Sequence, residues 1–146
     1  MVKLLTAHIA KLFTKKVLDK NTSEIVKIAR PILKPYNKDK FELVQDYTHN
    51  GITIKAGYKT NGADIPRLFW CIFPPNSPEY LSAVVVHDYL CDEAEKIYKL
   101  GFKPKAREKF KFADEILQEM MLNLGCNRLK VSCFYYACRA WHKIRY

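Results

Sequence analysis

The apolar run LSAVVVHDYLC, residues 81–91, constrains this chain more than any other feature. A histidine and a carboxylate stand side by side in it, as His87 and Asp88. The run has helical length and an apolar face. A titratable base or acid is costly there unless something pairs with it. Of the 15 acidic residues, only Asp88 and Asp114 stand where an apolar helix would carry them inward. His87, Asp88 and Asp114 are therefore the positions at which chemistry is expected.

The rest of the composition bounds the chain more loosely. At 146 residues, 49% hydrophobic and 13% aromatic, it suits one packed domain and argues against disorder. No apolar stretch reaches the length of a membrane span. Lysines interrupt the apolar core of residues 1–20 and no small-residue cleavage site follows, so a signal peptide is not expected and a cytoplasmic location is. The five cysteines, at 71, 91, 126, 133 and 138, include no CxxC pair. Buried reduced thiols are expected, rather than zinc ligands or disulfides.

Charge is unevenly placed within the net +10. Residues 1–60 carry 12 basic and 5 acidic side chains, residues 61–100 carry 3 and 6, and residues 101–146 carry 10 and 4. The basic ends suit nucleic acid, an anionic membrane surface or an acidic partner. The acidic middle, which holds His87 and Asp88, suits a cation better than a phosphate.

The pattern predicts an α+β protein dominated by helix. Residues 2–18 read as an amphipathic helix, with Val2, Leu5, Ile9, Leu12, Phe13 and Val17 on one stripe, to lie on the core or on a membrane surface. Residues 21–40 are irregular, with an extended piece in ARPILKPY. FELVQDY and ITIKAGY flank Asn50-Gly51 and predict a hairpin closed by a type I′ turn. A loop over 59–78 follows. Three helices are expected at Glu79 to about Leu100, Lys105–Leu124 and Asn127–Tyr146, with Ser77-Pro78 opening the first and Gly125 closing the second. Residues 1–40 read as an extension and 41–146 as one domain.

On the first helix His87 shares a face with Ala83, Val84, Leu90 and Cys91, and Asp88 points about a quarter turn away. On the second, Phe110, Ala113, Leu117 and Met121 form the buried stripe, with Asp114 at its edge. The short KLGFKP connection suits antiparallel neighbours, in which Asp114 can meet His87 or Asp88. A carboxylate on His87 would fix its tautomer and raise its basicity. Asp88 could bind a hard cation, calcium or another divalent ion, with Asn61, Gly62 and Asp64 of the TNGAD loop as further ligands. The alternative is structural: Asp114 neutralises His87, while Asp88 and Asp92 stay solvated beside lysines such as Lys96. His8 and His49 read as surface residues, and His142 as a residue of a solvated C-terminal helix from which it could approach the site. The third helix combines Phe134, Tyr135, Tyr136 and Trp141 with five basic residues, which suits nucleic acid or, preferably, a core-facing helix with a basic outer face.

The segments GYKTNGADIPRLFW, VVVHDYLC and FADEILQEMM, in that order, resemble the phage and prophage family named domain of unknown function thirteen fifty-three. The resemblance covers about residues 56–146 and implies a phage or prophage origin. The chain carries Asn61 where the family pattern has Asp, Asp64 where it has Ser, Cys91 where it has Tyr and Leu117 where it has Phe. More distantly, the His-Asp pair with a later Asp on the next helix is similar to the dyad of phospholipases A2. That similarity implies His87 as the general base, Asp114 as its orienter, Asp88 as a calcium ligand and residues 61–64 as the calcium loop. Two functions follow as expectations. One is a cation-assisted ester hydrolase acting at an anionic membrane surface. The other is a non-enzymatic virion, tail-assembly or host-modulating protein that binds other phage proteins and whose His/Asp network is structural. Either would work in a host cytoplasm or a virion.

Overall fold

The fold is organised around one helix whose N-terminal half is buried on every side. In the computed structural model, which describes residues 28–38, 40–60 and 77–146, that helix is α1 (Leu81–Lys99). Its residues Ser82 to Asp88 are all buried. Amphipathic surface helices bury a stripe; a helix sealed all round must lie between layers. On one side α1 packs against α2 (Lys103–Asn123), and α2 in turn packs against α3 (Arg128–Arg145). On the other side it meets strands β4 (Ile52–Ile54) and β5 (Lys59–Thr60). Val84, Val85 and Val86 are all fully buried, each stabilising the core by roughly 1.5–3 kcal/mol relative to exposure. The predicted α+β class with three C-terminal helices is the class observed.

The helix bounds differ slightly from those predicted. Pro78–Tyr80 form a turn, Tyr80 takes the N-cap position without a side-chain cap bond, and the first helix starts at Leu81 rather than at Glu79. The second starts earlier than predicted, at Lys103, because Pro104 fits its first turn. Gly125, at φ +82°, stops it as expected, with its N–H donating to the Leu122 carbonyl. Asn127 caps α3 by accepting the Leu129 N–H at 2.8 Å.

The β part is two small sheets instead of one long hairpin. β3 (Tyr47–His49) and β4 pair antiparallel around Asn50 (φ +46°) and Gly51 (φ +80°), the two left-handed residues a type I′ turn requires. The predicted arms do not continue outward from that turn. Asp46 accepts the Ala56 N–H at 2.9 Å and the Lys55 ammonium at 2.7 Å, bending the chain at both arms. Beyond the bend, β2 (Lys40–Leu43) leaves to form the centre of a second sheet of order β1-β2-β5. β1 (Leu33–Asn37) comes from the extended ARPILKPY piece, so residues before 41 contribute a strand to this sheet. The predicted helix over residues 2–18 lies outside the described residues.

Candidate functional site

Asp114 is the centre of the site. It stands on α2 with no exposed surface, and three side chains donate to it. His87 Nε2 on α1 reaches Oδ1 at 2.9 Å. His142 Nδ1 and Arg139 Nη1, both on α3, reach Oδ2 at 3.0 and 3.2 Å. His87 and Asp114 lie almost equally far along the chain from the Gly101 turn, so the antiparallel pairing of α1 and α2 brings them level. His87 is 1% exposed and His142 5%.

The hydrogen bonds define the tautomers. A buried carboxylate with two donating rings accepts and does not donate, so His87 carries its proton on Nε2 and His142 on Nδ1. His87 Nδ1 and His142 Nε2 are then the lone-pair nitrogens. Burial alone would raise the Asp114 pKa. The hydrogen bonds from His142 and His87 outweigh that cost and hold the carboxyl below its ordinary value.

Cys91, one turn beyond His87 on α1, sits between the two rings. Its sulfur is 3.5 Å from His87 Nε2, 3.9 Å from His87 Nδ1 and 3.7 Å from His142 Nε2. The Phe110 ring lies 4.6 Å from that of His142 at 30° and walls off the network on the α2 side. Ligand atoms of His87, Cys91 and His142 all lie within 4.8 Å of one another, as do those of His87, Asp114 and Cys138.

Asp88 points away from this network, as its quarter-turn offset requires. It is 6% exposed, and its Oδ2 accepts the Thr60 hydroxyl at 2.5 Å. One turn on, Asp92 accepts the Tyr58 hydroxyl at 2.7 Å. Burial, then the charge of Asp88, then the Asp92 hydrogen bond push the Tyr58 hydroxyl far above its usual pKa. These donors are all oxygens, the chemistry a hard cation takes, so Asp88 and its neighbours fit such an ion in kind. Thr60, on Asp88, is the residue immediately before Asn61. Asn61, Gly62 and Asp64 themselves lie outside the described residues.

The pairing of His87 with Asp114 was legible in sequence; the second histidine was missed. His142, expected on a solvated helix, is buried. It continues the buried stripe Val131, Phe134, Cys138, His142, and that helical spacing was the available signal. His49 was also placed on the surface and is 9% exposed, turned inward from β3. Lys96 forms its ion pair with Glu93 at 2.8 Å. Cys91, Cys126 and Cys138 are buried reduced thiols as expected, while Cys133 is exposed.

Fold and site together define a helix-dominated α+β protein whose three C-terminal helices are locked on one buried aspartate. Residues 38–138 match the family described as Protein of unknown function (DUF1353), and the chain belongs to that family. It is also similar to the uncharacterized protein y4jT of Sinorhizobium fredii (strain NBRC 101917 / NGR234), with 40% identity over 58 residues. That match spans 36% of this chain and 17% of y4jT. No solved structure matches. No helix among the described residues is long and apolar enough to cross a membrane.

Proposed function

We propose that this chain is a phage-associated ester hydrolase. In it His87 activates water, Asp114 orients His87, and Asp88 with residues 61–64 holds a divalent cation, calcium first among them. The observation that carries this reading is the 2.9 Å bond from His87 Nε2 to a fully buried Asp114. It commits the Nε2 proton to the carboxylate and leaves Nδ1 as the basic nitrogen. As water is deprotonated at Nδ1, the imidazolium that forms is stabilised by Asp114 across the same hydrogen bond. A bound divalent cation supplies Lewis-acid stabilisation of the ester oxyanion. Asp88 and the oxygens around it would hold that ion. The net charge of +10 favours an anionic surface, such as a bilayer rich in acidic lipids, as the place where substrate is met. The phage association rests on the resemblance of the three motifs.

The test is a calcium-dependent esterase assay on purified protein, with soluble and vesicle-borne esters. His87→Gln should lower the rate by roughly 10²–10⁴ and leave the helical signal intact. A wild-type protein that is inactive with calcium, magnesium, manganese and zinc refutes the proposal.

One observation favours a second, non-enzymatic reading. Both oxygens of Asp114 are taken by three donors, and His87 is 1% exposed. A fully satisfied buried network specifies one packing of its helices whether or not it catalyses anything. On that reading His87→Gln lowers stability, and there is no activity to lose.

A further inference from the structure

We propose that His87, Cys91 and His142 form a binding site for a thiophilic divalent ion, zinc above all. The site is separate in place and in donor chemistry from the oxygen set around Asp88. The two sulfur–nitrogen separations carry the inference. A zinc ion with tetrahedral bonds to one sulfur and one imidazole nitrogen sets those two atoms roughly 3.6 Å apart. Cys91 Sγ stands 3.9 Å from His87 Nδ1 and 3.7 Å from His142 Nε2, the two lone-pair nitrogens. It also lies 3.5 Å from His87 Nε2, beside the ring, so the Cys91 side chain turns to set its thiolate opposite the Nδ1 lone pair.

The scaffold is that of a metal site in two further respects. His87 and Cys91 are four residues apart on α1, so one helix face presents both. His142 arrives from α3 already oriented. Its Nδ1–H donates to Asp114 Oδ2 at 3.0 Å, which turns the Nε2 lone pair toward the sulfur. A carboxylate behind a ligating imidazole is the outer-shell device that holds such ligands and raises their basicity. Sulfur with two imidazoles selects zinc and its neighbours over calcium or magnesium.

Binding has a definite proton balance. Cys91 gives up its thiol proton to solvent and ligates as the thiolate. His87 ligates through its Nδ1 lone pair and keeps its Nε2 proton on Asp114 Oδ1. His142 keeps its Nδ1 proton on Asp114. The ion-bound state therefore occupies His87 Nδ1, the nitrogen that the hydrolase reading uses as its base. This inference goes beyond that reading and does not depend on it.

The experiment uses the full chain, reduced and stripped of metal, titrated with cobalt(II) as a spectroscopic stand-in for zinc. One equivalent should produce tetrahedral d–d bands and a thiolate-to-metal charge-transfer band, and zinc should displace both. Cys91→Ser should abolish the charge-transfer band, while Cys133→Ser should keep it. His142→Gln should weaken binding at least roughly tenfold. X-ray absorption at the zinc edge of the wild-type protein should give one sulfur and two imidazoles, and this needs no variant to fold. No binding at one equivalent, a band that survives Cys91→Ser, or a first shell with no sulfur or more than one overturns the proposal. None of these readouts depends on esterase activity, so the two proposals fail separately.

Discussion

Replacing Asp114 by Asn removes one charge and almost no volume, and so isolates what the buried carboxylate does. In the native protein its two oxygens accept from His87, His142 and Arg139. An amide offers one accepting oxygen and an NH₂ that only donates. At Oδ2 the side chain faces two donors, so whichever way the amide turns, at least one donor loses its acceptor. Each charge-assisted hydrogen bond is worth roughly 1.5–3 kcal/mol, and a buried donor left unpaired costs a further 1–3. A tautomer change at His87 can recover one neutral bond, at about 1 kcal/mol. The net expectation is a loss of roughly 3–4 kcal/mol, within the range for breaking a buried ion pair by changing one partner.

Urea unfolding at pH 7, followed by far-ultraviolet circular dichroism, measures this directly. With a slope near 1.5 kcal/mol/M, about right for a domain of this size, the midpoint should fall by roughly 2 M with the slope unchanged. The pH dependence carries the sign. Asp114 has a pKa below its ordinary value in the folded protein. Its contribution to stability is therefore fully present above the unfolded-state value, near 3.9, and is lost as pH falls through the folded value. The gap between wild type and Asp114→Asn should close as pH falls below about 4. A variant within about 0.5 kcal/mol of wild type at pH 7, or a gap that widens in acid, would refute the account of Asp114 as the tie between the three helices.

Three other outcomes follow from particular residues. Gly51→Ala should cost about 1 kcal/mol, because φ +80° disfavours any side chain although an added Cβ meets nothing within 4 Å; thermal unfolding reads this. Thr60→Val should cost roughly 1–3 kcal/mol by leaving Asp88 Oδ2 without the Thr60 hydroxyl, measured again by urea midpoint. At pH 8 Cys133, exposed on α3, should alkylate well before Cys126, whose thiol is pushed up to about 11 by burial and then by the charge of Glu79; peptide mass mapping gives the order, and faster labelling of Cys126 would contradict it.

Local chemistry made much of this protein readable before any coordinates. Three helical periods, Gly125 as a stop and Asn50-Gly51 as a turn are decided within a few residues, so the sequence determined them. The inward face of His87 and Asp114 was readable for the same reason: an apolar run of helical length leaves a charged side chain nowhere to go but to a partner. What lay beyond local pattern was decided by contacts between distant segments. The two arms flanking the turn part company because Asp46 takes donors from Ala56 and Lys55, which no alternation of apolar residues encodes. His142 joins the site because α3 packs against α2 and sets Asp114 Oδ2 within reach of Nδ1; in sequence it is one basic residue in a basic helix. Cys91 becomes a meeting point of two imidazoles by the same packing. Which face of a helix turns inward follows from its own spacing, whereas the identity of what waits there depends on how whole helices pack, and only the tertiary structure decided that.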